Sequence, residues 1–203
     1  MKSLFNLTIS ALFFTFLFGT TCAQSDRDAW QQPEKIMDNV GIKPGMIIGE
    51  AGAGDGYFTY FLSERVGPTG HIYANDILKH RLEHIANKCR EEGITNITTI
   101  LGEVDDPLFP EGELDMVIMM LAFHDFTKPV AWMKNVIPSL KPGAPLVIVD
   151  RDPERSKKEP EHFMSKEKVV ATMAKTDFEL QRIETFLQQD NIYVFKLKDN
   201  VNE

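Results

Sequence analysis

Cysteine is scarce in this chain. Of 203 residues only Cys22 and Cys89 are cysteines, which excludes a cysteine-ligated zinc cluster and leaves at most one internal disulfide. Excess basic charge is lacking too: 22 lysines and arginines face 30 aspartates and glutamates, for a formal net charge of −8. An acidic chain without a basic stripe is repelled by phosphate backbones, so nucleic acid is not an expected partner. No apolar run reaches the ~18–20 residues that cross a bilayer. There is no internal repeat, no low-complexity tract and no break in composition to mark a second folded domain.

The longest apolar stretch opens the chain. Lys2 supplies a positive start, Leu4 to Phe18 is mostly apolar, and Thr21-Cys22-Ala23 offers small residues for cleavage. This pattern predicts a signal peptide over residues 1–23, followed by one domain over 24–203. The expected location is therefore periplasmic or secreted, without stable membrane insertion once the leader is cut. Attachment of lipid at Cys22 is the rival reading, against which Gly19-Thr20-Thr21 makes a poor lipoprotein box. Cleavage after Ala23 leaves Cys89 as the single cysteine, and loss of Lys2 moves the formal charge from −8 to −9.

Beyond the leader, strand and helix signals alternate. Helices are expected over Pro33–Val40, Tyr57–Val66, Lys79–Glu92, Val130–Ser139 and Lys166–Lys175. Strands are expected over Met46–Gly49, His71–Ala74, Ile97–Leu101, Leu114–Leu121 and Leu146–Val149. The run Leu114–Leu121 is long and apolar, as a central strand covered on both faces requires. Alternation of this kind implies a parallel sheet with right-handed crossovers. Phe178–Phe186 and Ile192–Leu197, linked by Gln188-Gln189-Asp190, form a closing hairpin that adds antiparallel character at one edge.

The segment most informative about function is Glu50-Ala51-Gly52-Ala53-Gly54-Asp55-Gly56, directly after the apolar Met46-Ile47-Ile48. Glycine at every second position marks backbone lying flat against a ligand or turning through positive φ. The spacing is G-x-G-x-G. A dinucleotide fingerprint needs a glycine where Tyr57 stands, so a nicotinamide oxidoreductase is disfavoured. Ligands of such sheets lie at the carboxyl ends of the strands, where three carboxylates fall: Glu50, Asp76 and Glu103. Asp76 suits a pair of ribose hydroxyls, Glu103 an exocyclic amine of adenine, and Glu50 an ammonium group or the water bound to it. Asp55 inside the loop argues against a phosphate.

Together with Tyr73-Ala-Asn-Asp76 after Val66-Gly-Pro-Thr-Gly70, Leu114-Asp-Met-Val-Ile118 and Leu140-Lys-Pro-Gly143, this loop resembles the class I S-adenosylmethionine-dependent methyltransferases. The likeness runs from about Trp30 to Leu197, and it is similar in pattern to small exported methyltransferases of bacteria. It implies a Rossmann-like α/β fold: a seven-stranded, mostly parallel sheet with an antiparallel C-terminal hairpin and helices on both faces. It also implies S-adenosyl-L-methionine as cofactor, held by Glu50, Ala51, Gly52, Ala53, Gly54, Gly56, Tyr57, Asp76, Ile77, Glu103, Val104 and Leu121, with Leu121 beside the methionine part. Ala144-Pro145 departs from the family where a second loop glycine stands before strand five. No Asn-Pro-Pro-Tyr motif follows strand four, which speaks against base amines; the expected acceptor is a small molecule or an exposed group on a larger one. A binding protein of the same fold without transfer activity is the alternative.

Catalytic candidates follow strand four. In Phe123-His124-Asp125-Phe126, His124 is placed to take a proton from the acceptor, with Asp125 fixing its tautomer or acting alone. Equally, His124 closes a turn and Asp125 caps one. Tyr57 and Phe58 either touch the cofactor or pack in the core, and Trp30 is a flap or a staple onto the sheet. Asp150, Arg151 and Asp152 line the acceptor side or are solvated. His80 and His84 share a helix face at metal-like spacing, but the helix is highly charged and outward-facing, and no metal is assigned.

Overall fold

The computed structural model describes residues 27–156 and 159–199; the expected signal peptide, and Cys22 within it, lie outside the described residues. Among the described residues seven strands make one sheet: β1 (Ile47–Ala51), β2 (His71–Asp76), β3 (Ile97–Leu101), β4 (Met116–Met120), β5 (Leu146–Arg151), β6 (Phe178–Glu184) and β7 (Asp190–Leu197). Their order is β3-β2-β1-β4-β5-β7-β6. Pairing is parallel from β3 through β5, and β7 runs antiparallel to both β5 and β6. This is the Rossmann-like arrangement expected from the sequence.

Alternation along the central strands builds two cores. Met116, Ile118 and Met120 face one side with Ile48, Ile72, Val147 and Val149, while Val117 and Met119 face the other with Leu146, Ile148 and Phe195. Every residue of β4 is buried, which is why its sequence reads as a continuous apolar run. The first face is covered by helices α1 (Pro33–Val40) and α2 (Tyr57–Val66), through Ile36, Met37, Phe58 and Leu62. Beside them α3 (Lys79–Glu92) packs Leu82, Ile85 and Cys89 on Ala74. On the other face lie α4 (Pro129–Asn135) and α5 (Lys166–Met173), contributing Trp132, Met133, Val169 and Met173.

Several expected elements differ at their ends: β1, β2 and β5 run on by two residues, to Ala51, Asp76 and Arg151, and β7 starts two residues earlier, at Asp190. The fourth strand is shorter than its apolar run, because Leu114 makes only an isolated bridge to Leu140 before pairing proper starts. The helix expected over Val130–Ser139 starts at Pro129 and ends at Asn135, and Ile137–Ser139 continues as a 3₁₀ turn. Pro138 lacks the amide that an α-helix needs there.

Sheet order reverses between β1 and β4, which lie side by side with crossovers leaving in opposite directions. That switch point opens a crevice above the carboxyl ends of the strands, and the glycine loop leads out of β1 into it.

Candidate active site

The loop after β1 is held open by its glycines. Gly52, Gly54 and Gly56 all have positive φ, at +73°, +57° and +87°. A methyl group on Gly52 would stand 2.4 Å from the Cβ of Ala122, just past β4. The amide of Ala53 donates to the Asn75 carbonyl at 2.9 Å, and that of Gly54 to Asp76 Oδ2 at 2.9 Å. Asp76 Oδ1 accepts from the Leu78 amide at 2.8 Å. The carboxylate at the end of β2 is thus locked between two turns, and each oxygen keeps acceptor capacity for a ligand hydroxyl.

A cavity of about 320 Å³ lies beneath this loop. Of the residues expected from the sequence to bind the cofactor, Gly52, Asp76, Ile77, Glu103, Val104 and Leu121 line it, as does the catalytic candidate Asp125. Ile77 and Val104 line the cavity and are 54% and 44% exposed, apolar surface available to a bound ligand. Leu121 adopts φ +53°. A non-glycine residue in that region carries strain, here at the lip of the cavity where β4 ends. The charges around the cavity are the carboxylates of Asp76, Glu103 and Asp125, with the guanidinium of Arg81 among them.

Other expected residues sit behind that wall. Glu50 is only 1% exposed and accepts a hydrogen bond from the Thr59 hydroxyl of α2. Burial pushes its pKa up to about 8, against the Thr59 hydrogen bond and with help from the Asp76 charge. Ala51 and Ala53 are buried in the core, and Gly54 and Gly56 shape the turn without lining the cavity. Tyr57 turns towards the helical segment 27–31: its hydroxyl donates to Asp28 at 2.8 Å and the Arg27 guanidinium stacks 3.4 Å from its ring centroid. Phe58 is core. Trp30 lies under Arg151, 4.9 Å from ring centroid to guanidinium.

The catalytic candidates are arranged differently from the expectation. Asp125 does not fix the His124 tautomer; its Oδ2 lies 3.6 Å from His124 Nε2, beyond hydrogen-bond reach. Asp150, at the end of β5, does so instead, with Oδ1 2.7 Å from His124 Nδ1. The reason is geometric. Phe123–Asp125 form a 3₁₀ turn, which sends neighbouring side chains in different directions, whereas β4–β5 pairing brings Asp150 alongside the chain leaving β4. The His124 side chain is 4% exposed and Asp150 1%. Burial works against a charged imidazole, but the hydrogen bond and charge of Asp150, with the Asp125 charge behind them, outweigh it and hold the His124 pKa above its ordinary value, while Arg151 opposes them. The edges of His162 and Phe163 close on the His124 ring, each at 4.7 Å between centroids.

Sequence reasoning missed Asn75, Leu78, Arg81, Ala122, Phe126, Thr127 and Trp132, which also line the cavity. Asn75 and Leu78 carry a signal through adjacency to Asp76. Arg81 and Trp132 come from helices, and only the packing of those helices brings them in. His80 and His84 are exposed on α3.

The family described as a methyltransferase domain matches residues 42–196. The demethylmenaquinone methyltransferase of Lactococcus lactis subsp. lactis (strain IL1403) is 29% identical over 123 residues, covering 61% of this chain and 48% of that protein. The nocamycin O-methyltransferase of Saccharothrix syringae is 32% identical over 83 residues, 41% of this chain and 30% of its own. This chain thus spans about half or less of the length of these curated relatives. Among solved structures, a SAM-dependent methyltransferase from Aquifex aeolicus superposes with a TM-score of 0.81 at 23% identity, over 88% of this chain and 96% of that one, and shares the fold. The family match takes in the whole sheet but for the last residue of β7, and the chain belongs to the methyltransferase-domain family.

Proposed function

We propose that this protein is an S-adenosylmethionine-dependent methyltransferase acting on a small molecule. The observation that carries this reading is the Asp76 carboxylate, fastened by the amides of Gly54 and Leu78 at the mouth of the cavity. When bound, S-adenosylmethionine supplies a methyl group activated on a sulfonium. Asp76 accepts the ribose hydroxyls, Ile77 and Val104 flank the adenine, and Glu103 accepts from its amine. The three cavity carboxylates favour a cationic ligand over a phosphate. Gly52, Leu121 and Ala122 line the cavity at the switch point, and Phe126, Thr127 and Trp132, which also line it, are the walls we assign to the acceptor. Transfer from a sulfonium is an in-line displacement, so holding the acceptor at near-attack distance in a dry site is the protein's main contribution. Asp125, which lines the cavity, is our candidate to receive a proton where the acceptor carries one, with His124 buried beside it and outside the lining.

Isothermal titration tests the reading. The cofactor or its demethylated product binds the wild-type chain, and Asp76→Ala weakens binding at least tenfold. Absence of binding at millimolar ligand would remove the assignment. We also propose export through residues 1–23, supported by Lys2 and the apolar run Leu4–Phe18. A mature protein in the periplasm or medium with Gln24 as its first residue is the expected result, and an intact Met1 in the cytoplasmic fraction overturns it.

A further inference from the structure

We propose that His124, Asp125 and His162 form a binding site for one first-row transition-metal cation of the zinc type, beside the cavity. Four observations carry it. The Nε2 of His124 lies 3.6 Å from Asp125 Oδ2, and the Nε2 of His162 lies 3.6 Å from Asp125 Oδ1. One ligand atom from each of the three residues falls within 4.8 Å of both others. These separations are too long for hydrogen bonds. The two 3.6 Å distances stand a few tenths of an ångström outside the roughly 3.4 Å that separates neighbouring ligands on a tetrahedral ion with bonds near 2.1 Å, and the two imidazoles close up to that spacing when an ion binds, His162 and Asp125 being exposed and free to turn inward. Polar atoms therefore converge here without bonding to one another.

The second observation is the outer partner. Asp150 takes Nδ1 of His124, which commits the proton to that nitrogen and leaves the Nε2 lone pair facing the cluster. A carboxylate behind a histidine in this way is how proteins orient and strengthen a metal-ligating imidazole. Third, His162 has a fixed approach: it closes the 3₁₀ turn Pro160–His162, and the next residue, Phe163, is packed against both His124 and Arg151. Fourth, Asp125 belongs to the cluster and to the cavity wall alike.

Two imidazoles and one carboxylate suit zinc, iron or manganese and disfavour magnesium and calcium, which prefer all-oxygen sites. Three protein ligands also leave a coordination position open, as in catalytic rather than structural sites. An ion held here commits the Nε2 lone pair of His124, and an acceptor oxygen reaching the open position loses its proton more readily to solvent. Ion binding needs no cofactor, so the site stands or falls apart from the methyltransferase reading.

The test uses tag-free protein stripped with a chelator and dialysed. Titration with Zn²⁺ should give one ion per chain, and Co²⁺ should give visible d–d absorption. His162→Gln and Asp125→Asn should each lower Zn²⁺ affinity at least tenfold, and Asp150→Asn about 10- to 100-fold. The exposed pair changed together, His80→Gln with His84→Gln, should leave the affinity unchanged. Far-UV circular dichroism and thermal unfolding of His162→Gln report whether the fold survives the change. The proposal is overturned by a stoichiometry near zero, by Zn²⁺ affinity indifferent to His162→Gln, or by loss of binding in the His80 and His84 double variant.

Discussion

Asp150 grips His124 at two points: its Oδ1 lies 2.7 Å from the ring Nδ1, and its Oδ2 accepts the His124 backbone amide at 3.0 Å. The Arg151 amide donates to the same Oδ1 at 2.9 Å. One buried carboxylate thereby fixes both the turn after β4 and the ring it carries.

Asp150→Ala strands these donors in the interior, and each unsatisfied buried group costs about 1–3 kcal/mol. A loss of stability on the order of 2–4 kcal/mol is expected in urea denaturation. Asp150→Asn keeps one acceptor oxygen and costs less, yet an amide turned towards Nδ1 moves the ring proton to Nε2. Nitrogen NMR of the imidazole reads that tautomer directly, and an unchanged spectrum would count against Asp150 as the orienting group.

Gly52 and Gly54 both have positive φ but differ in what surrounds them. A methyl at Gly52 meets the Cβ of Ala122 at 2.4 Å, in packed backbone that cannot yield, whereas one at Gly54 meets only the tip of Arg81 at 3.1 Å. Gly54→Ala should cost about 1–2 kcal/mol, the penalty for an L residue in left-handed backbone, as Arg81 swings aside. Gly52→Ala adds the clash in the cavity wall, so it should lose clearly more stability and most of the cofactor affinity. Thermal unfolding and calorimetric titration of the two variants give the comparison.

Glu50 makes stability depend on pH in an unusual direction for a carboxylate. Its folded pKa of about 8 exceeds the ordinary value of 4.5, because burial disfavours the charge. The folded state therefore binds the proton more tightly than the unfolded one. Its contribution is fully present below about pH 4.5 and is lost as pH rises towards and through 8. Glu50→Gln imitates the neutral acid, so the variant should gain stability relative to wild type between pH 5 and 8 and level off above. Chemical denaturation across that range checks it; parallel profiles for the two proteins would show that Glu50 does not titrate there.

Local signals carried much of the architecture. The apolar runs at Ile47, Leu114 and Leu146, each entered or left through glycine and proline, mark strands without any knowledge of their neighbours. Asp76 was visible as a carboxylate at the end of the second strand, one crossover helix and one strand beyond the glycine loop. The Asp150 grip was not visible, since it depends on the register of β4 on β5 and joins residues 26 apart. His162 reaches Asp125 only because the segment before α5 folds back over the end of the sheet, and nothing in Glu159-Pro160-Glu161-His162 announces that. Glu50 was expected to meet the ligand, but α2 places Thr59 over it and leaves it a buried acid.

Leu121 separates strain from contact. Its φ of +53° is unfavourable for any side chain with a Cβ, and its side chain borders the cavity. Leu121→Ala removes the contact and keeps the strain. Leu121→Gly removes both, since glycine occupies left-handed backbone freely. The glycine variant should therefore be the more stable of the two by about 1 kcal/mol, although glycine in ordinary backbone destabilises relative to alanine. Both should bind the cofactor more weakly than wild type, because the wall they lose is the same. If the alanine variant proves the more stable, the bend after β4 is not under strain, and the positive φ has no energetic bearing on the site.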